Sequence, residues 1–407
     1  MGKKLGFYEI AKQAMLTPQE APLMMKSKTA NAIRIGIPKE TTFQENRVGL
    51  SPQAANLLVA NGHEVIVEAG AGKEAKFYDD DYKNCGAKIT YSKDEVFKSD
   101  IVMKVSFPSM EEIDMMQDGK VIISALHLPM LKDDQVKLLM KKKETAICFE
   151  YLKDESGAYP VIQAMSEIAG GISILIAGEY LSNINHGKGV LLGGVSGIPP
   201  SKVVILGAGT VGLFATRAAL GLGAEVKVFD NSLYKLRRLQ NDLGTRIYTS
   251  IMHPEILLKE LKSADVVIGA IRALEGRTKM IVSEEMVMEM KLGSVIVDVS
   301  IDQGGCFETS EVTNHTHPIF EKHGVIHYCV PNIASRVSRT ASYALSNIFA
   351  PILLDIGEYG GIKNYLWDRE GERHGVYIYK GNLTNQNIAE RFNIPFKDLD
   401  LLIAAHV

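Results

Sequence analysis

Short runs of crowded apolar and β-branched residues recur along this chain, separated by stretches whose apolar positions fall three and four apart. "IRIGIP", "EVIVEAG", "DIVMKVSFP", "KVIISALHLP" and "TAICFEYL" read as strands, with helical patterns such as "SPQAANLLVANG" between them. That helix is well punctuated: Ser51 is placed as N-cap, Pro52 at the first helical position and Gly62 just past the end. Strands alternating with helices predict a mostly parallel sheet covered on its faces. The first domain is placed at residues 34–161, after an extension at 1–33.

The stretch "VIQAMSEIAGGISILIAGEYLSNI" predicts a long apolar helix with a soft Gly170–Gly171 interior, joining two domains. After the Gly- and Pro-rich loop "NHGKGVLLGGVSGIPPSK", a second alternation begins: "KVVILG", "EVKVFD", "ADVVIGAI", "SVIVDVSI" and "GVIHYCV". A second domain is placed at 162–331. Residues 332–407, which include the helical segment "TASYALSNIFAPILLDIGEYG" and a tail, are expected to return to the first domain, because no new strand series begins there. The predicted class is α/β, with two doubly wound Rossmann-like domains separated by a cleft.

Composition narrows the partners. The chain has 407 residues, 46% of them hydrophobic, with a net charge of -3, so no basic field exists to attract nucleic acid or an anionic membrane. Four cysteines stand singly with no Cys-x-x-Cys pair, which argues against a metal site and against a secreted disulfide framework. A reducing cytoplasm fits best. The amino-terminal stretch has no continuous apolar core of signal-peptide type, and Gly6 stands where myristoylation would need Ser or Thr. The tract "YALSNIFAPILLDIG" is broken by Ser346, Asn347 and Asp355 and is shorter than the ~20 residues of a bilayer span.

The strongest motif is "VVILGAGTVGLFATRAALGLGAEVKVFD". Gly207, Gly209 and Gly212 form G-x-G-x-x-G between an apolar strand and a helix, with Thr210 and Val211 opening the helix. Gly207 allows the tight turn, Gly209 lets backbone amides approach a pyrophosphate at the helix amino terminus, and Gly212 permits close helix packing. Asp230, ending the next strand, is placed on the adenosine ribose hydroxyls. A carboxylate there repels a 2'-phosphate, so the cofactor is predicted to be NAD. Lys235, Arg237 and Arg238 read as a solvated helix face.

In the first domain Lys104 and His127 lie at or near carboxyl ends of strands, where open α/β sheets form ligand crevices, and Arg47 follows the first strand on a loop. Each alone has an ordinary structural explanation; their shared placement raises a site. Glu150, ending "TAICFE", reads as structural. In the second domain the strand "SVIVDVSIDQGGCFETS" changes abruptly from apolar residues to Asp302, two glycines and Cys306, the last read as packing.

"IRIGIPKETTFQENRVGLSP", "GHEVIVEAGAG", "ALHLP", "AMSEIAG", "GKGVLLGGVSGIPP", "GAGTVG" and "GSVIVDVSIDQGGCFETS" together resemble the alanine dehydrogenase family, which includes the alpha subunit of proton-translocating nicotinamide nucleotide transhydrogenase. The resemblance runs from about Arg34 to about Gly361, and "LHLP" and "IDQGGCFE" look like its dehydrogenase branch. It implies NAD-dependent oxidation of L-alanine to pyruvate and ammonium by a homo-oligomer, a hexamer in the family. It also implies roles. Arg47 and Lys104 would hold the substrate carboxylate and keto oxygen, His127 would be the acid/base, and Asp302 would complete the site from the nucleotide domain. Asn332 would reach the substrate, and Ser166 and Met165 the cofactor and pocket wall. Rival readings are a transhydrogenase nucleotide-binding component and an NAD-binding regulatory protein without turnover.

The chain departs from the family pattern around the cleft. "IRALEGRTKMI", with Arg272 and Glu275, replaces an apolar Pro-Gly loop; "NIASRVSRT" places Arg336 close to Asn332; and "KVSFP" has Phe107 where an acid is usual. The ends, 1–33 and "GVYIYKGNLTNQNIAERFNIPFKDLDLLIAAHV", extend beyond the usual dehydrogenase and are read as cover for a subunit interface.

Overall fold

The computed structural model describes residues 31–126, 131–273 and 276–405. The first sheet holds β1 (Arg34–Ile37), β2 (Glu64–Glu68), β3 (Lys88–Thr90), β4 (Ile101–Met103), β5 (Val121–Ser124) and β6 (Thr145–Cys148). These six run parallel in the order β3-β2-β1-β4-β5-β6. The second sheet holds β7 (Lys202–Leu206), β8 (Glu225–Phe229), β9 (Tyr248–Ser250), β10 (Val266–Gly269), β11 (Val295–Asp298), β12 (Ile319–Lys322) and β13 (Val325–Tyr328). Its parallel strands repeat the same order, β9-β8-β7-β10-β11-β13, with β12 as an antiparallel edge. In each sheet the order reverses beside the first strand, and at that switch point a crevice opens outside the carboxyl ends of the strands. Both halves are doubly wound, as the alternation of strand and helix predicts.

Central strands such as β5, β10 and β11 are buried at every position, which is why they read as unbroken apolar runs. The helix Pro52–Ala60 is capped as its sequence dictates, Ser51 Oγ accepting from the Ala54 amide and Gly62 turning at φ 89°. A longer helix, Pro160–Tyr180, starts at a proline and passes from one core to the other. Val161 belongs to the first hydrophobic core, while Ala169, Ile174 and Ala177 belong to the second. Its glycine interior is a packing device: a side chain on Gly170 would overlap the Val211 carbonyl oxygen of the helix Thr210–Gly221.

The helix Ser338–Glu358 packs Leu345, Phe349 and Leu353 into the first core. Beyond it the structure differs from the sequence reading, which expects no further strand. β14 (Val376–Tyr379) adds antiparallel to β6, and β15 (Asn382–Leu383) pairs with β14. Among the described residues the first sheet therefore has eight strands, and this part of the tail belongs to the first domain's sheet.

Candidate functional site

The crevice between the two sheets is framed by the loop after β1, the turn after β11, and the segment leading from β13 into the helix Ser338–Glu358. β11 ends at Asp298, a single 3-10 turn covers Val299–Gln303, and Gly304 ends it in the left-handed region at φ 92°. On that turn Asp302 Oδ1 accepts the Asn332 amide at 2.9 Å. Asn332 is itself left-handed, at φ 54°, and its Nδ2 donates to Glu45 Oε2 at 2.9 Å. Glu45 in turn accepts both arms of Arg47, Nε at 2.7 Å and Nη2 at 2.6 Å. One chain of hydrogen bonds, Arg47–Glu45–Asn332–Asp302, thus crosses from the first domain to the second.

The loop bearing Arg47 is tied down residue by residue. The Asn46, Val48 and Ser51 amides donate to the hydroxyls of Ser335, Ser342 and Ser346. Gln44, held at φ 59°, reaches across the crevice: its Oε1 accepts the His315 amide and its Nε2 donates to Thr316 Oγ1. Met165 places its sulfur 3.5 Å from Arg47 Nη1, and Ser166 follows it on the same helix, half-buried.

Electrostatics keep the Glu45–Arg47 pair charged. Burial works against ionisation of Glu45, but the Arg47 guanidinium outweighs it and holds the carboxyl below its ordinary value. Burial likewise opposes the Arg47 charge, which Glu45 and the more distant Glu40 and Glu150 more than restore.

Lys104 lies apart. Its side chain is fully buried just beyond β4, 2.6 Å from Glu40 Oε2 and 3.8 Å from Glu112 Oε1. Glu40 also accepts the amides of Val105 and Ser106. Burial raises the Glu40 carboxyl despite Lys104. The ammonium is therefore neutralised by resident carboxylates, and the chain from Arg47 to Asp302 does not include it. His127 and Glu275 fall outside the described residues. Leu126, just before His127, donates its amide to Glu150 Oε2 at 3.4 Å, so this strand-end acid braces the segment entering His127.

Other sequence departures resolve as packing or surface. Phe107 packs against a core cluster of the first domain, and Arg272 is exposed. Arg336 pairs with Glu179 at 2.6 Å. Cys306 is buried, its amide bonded to Asp298. Gln303 pins the loop after β10, accepting the Ala273 amide through Oε1 and donating to its carbonyl through Nε2.

In the second domain Gly207 stands at φ 114°, and a Cβ on Gly212 would overlap the Gly207 carbonyl oxygen. A Cβ on Gly209 would meet open space. Gly209 is the N-cap of the helix Thr210–Gly221, whose first amides, those of Thr210 and Val211 among them, face that opening. Asp230 Oδ2 accepts the Ala208 amide at 2.8 Å and Oδ1 the Ser232 amide at 2.7 Å, which steadies the glycine loop and leaves lone pairs for ribose hydroxyls. The cradle fits a dinucleotide. Lys235, Arg237 and Arg238 are exposed on the next helix.

Sequence reasoning missed Glu45, Glu40 and Gln44. The signal for the first was local: in "QENR" an acid stands two residues before the arginine it pairs with.

A dinucleotide cradle in one doubly wound domain, facing a charged crevice in another, defines an NAD-dependent oxidoreductase. The comparisons with known proteins narrow it. The alanine dehydrogenase/PNT N-terminal domain matches residues 36–169 and the corresponding C-terminal domain residues 173–386. The chain is 38% identical to alanine dehydrogenase 2 of Staphylococcus aureus (strain USA300) over 369 residues, 90% of this chain and 99% of that protein. A solved L-alanine dehydrogenase superposes with a TM-score of 0.84 at 37% identity, covering 89% of this chain and 99% of the other. A transhydrogenase from Sinorhizobium meliloti shares the fold at 23% identity, with a TM-score of 0.74 and coverage of 87% and 99%. The chain belongs to the alanine dehydrogenase/PNT family.

Proposed function

We propose that this chain catalyses the reversible, NAD-dependent oxidative deamination of L-alanine to pyruvate and ammonium. The observation that carries the reading is the Arg47–Glu45–Asn332–Asp302 chain, which sets a guanidinium and a carboxylate across a crevice beside the dinucleotide cradle. The Gly207–Gly212 loop and Asp230 would hold NAD, which when bound would supply the hydride acceptor for the substrate α-carbon. Arg47 takes the substrate carboxylate with N–H bonds that Glu45 leaves or yields. His127 removes the amine proton and later activates the water that attacks the imine. Asp302 accepts from the ammonium or the water, and Asn332 holds it in place. Lys104 acts as a fixed buried charge at the strand ends, paired with Glu40.

The working form is a homo-oligomer in the reducing cytoplasm. Leu175 on the long helix and Leu191, Val195 and Ile198 on the loop after it are exposed apolar side chains, the kind of surface that a second copy covers. Three of the four free cysteines are buried thiols. NADH oxidation with pyruvate, with and without ammonium, tests the activity: turnover that requires ammonium is expected, and its absence would leave a nucleotide-binding protein without this reaction.

A further inference from the structure

Asp298 is a buried carboxylate that the reaction does not use. It ends β11 at 1% exposure, and burial raises its pKa despite the donors around it. Those donors come from both sides of the turn that presents Asp302. Oδ1 accepts the Ser300 amide at 3.0 Å and the Cys306 thiol at 3.6 Å; Oδ2 accepts the Cys306 amide at 2.9 Å and the Ser310 hydroxyl at 2.7 Å. Residues two, eight and twelve positions away are thus gathered onto one side chain, with Asp302 on the arc between them.

Two glycines make room for it. A Cβ on Gly305 would lie 2.7 Å from Asp298 Oδ2, and one on Gly269 2.5 Å from Oδ1. An amide could not replace the carboxylate, because its NH2 would face a donor amide on one side or the other. A buried charge is costly to keep, and a fold retains one where a specific geometry needs two acceptors at fixed points.

We propose that Asp298 is the positioning residue for Asp302: by anchoring both limbs of the turn it fixes the depth at which the Asp302 carboxylate enters the crevice. This rests on the reading of Asp302 as a site carboxylate.

A double-mutant cycle tests it, using kcat and KM for alanine oxidation and NADH affinity on the full chain. Asp298→Asn should lower kcat roughly 10- to 100-fold, as small displacements of a reacting group do, with NADH binding retained. In an Asp302→Asn background the same change should have no further effect on kcat, because its route of action is gone. Ser310→Ala, which keeps the buried carboxylate and removes one donor, should lower kcat by a smaller factor that also vanishes in the Asp302→Asn background, and it carries the test if Asp298→Asn does not fold. Losses that multiply in the double variants, or parental kcat in Asp298→Asn, would overturn the proposal while leaving Asp302 in the site. Parental turnover in Asp302→Asn itself would instead remove Asp302 from the site, and the proposal with it.

Discussion

Both sheets reverse their strand order beside the first strand of the series, yet they treat the crevice there in opposite ways. At the β1–β4 switch point the chain fills the space with its own charges: Glu40 from the loop after β1 meets Lys104 just past β4, and Glu112 stands behind. At the β7–β10 switch point it removes side chains, so that Gly209 faces open space while Asp230 supplies a carboxylate from the end of β8. The same topology carries a cluster of resident charges in one domain and an open glycine loop in the other. The loop leaving each strand sets the size of ligand that fits; the sheet does not.

The comparison can be broken most severely at the first domain. His127→Ala should keep NADH binding, which belongs to the other sheet, and lose ~100- to 10,000-fold in turnover, the usual worth of acid/base catalysis. Near-parental rates measured on a folded variant would make His127 structural. Lys104→Met comes next. It strands Glu40 and Glu112 in a buried site and should cost on the order of 3 to 5 kcal/mol in urea unfolding, most of it recovered by adding Glu40→Gln. A Lys104→Met variant as stable as the parent would mean that the pair does not hold the strand ends together.

On the open side, Gly209→Ala adds a methyl where nothing in the protein lies within 4 Å. Thermal stability should hold or rise slightly as the unfolded chain loses freedom, while NADH affinity should fall about 10-fold, ~1.4 kcal/mol. Unchanged affinity in a fluorescence titration would move the pyrophosphate away from this amide.

Glu45 gives a pH signature. Its folded pKa lies below the ordinary 4.5, so its contribution to stability is present above that value and is lost as pH falls through the folded value. Glu45→Gln should therefore flatten the acid limb of the stability curve below about 4.5, and an unaltered limb would assign acid unfolding to other carboxylates. The smallest effect concerns Gln44, a non-glycine residue at φ 59°. Gln44→Gly and Gln44→Ala both remove the link to His315 and Thr316, but glycine relieves the backbone; it should be the more stable of the two by about 1 kcal/mol. Equal melting temperatures would show that the left-handed turn is unstrained.

The legible part of the fold is the part that repeats. Continuous apolar runs mark both parallel sheets, and the spacing of Gly207, Gly209 and Gly212 marks the cradle, because period and spacing are local properties. Pairings such as Lys104 with Glu40, 64 residues apart, have no period and surface only in the fold. β14 escaped for a different reason. It joins β15 through a two-residue turn of Lys380 and Gly381, both at positive φ, where Asn-Gly would have announced the hairpin. The crossing bond from Asn332 to Asp302 depends on a left-handed asparagine that no neighbouring residue advertises.

The helix Pro160–Tyr180 has a consequence for how the molecule comes apart. Proteins with two cores commonly melt in two steps, each core a separate cooperative unit. Here one unbroken helix plugs Val161 into the first core and Ala169, Ile174 and Ala177 into the second, and it lies against Thr210–Gly221 at a contact so close that only Gly170 fits. Fraying that helix exposes both interiors together. Calorimetry should accordingly record one transition with equal calorimetric and van't Hoff enthalpies, and the amides of this helix should exchange with solvent only through global opening.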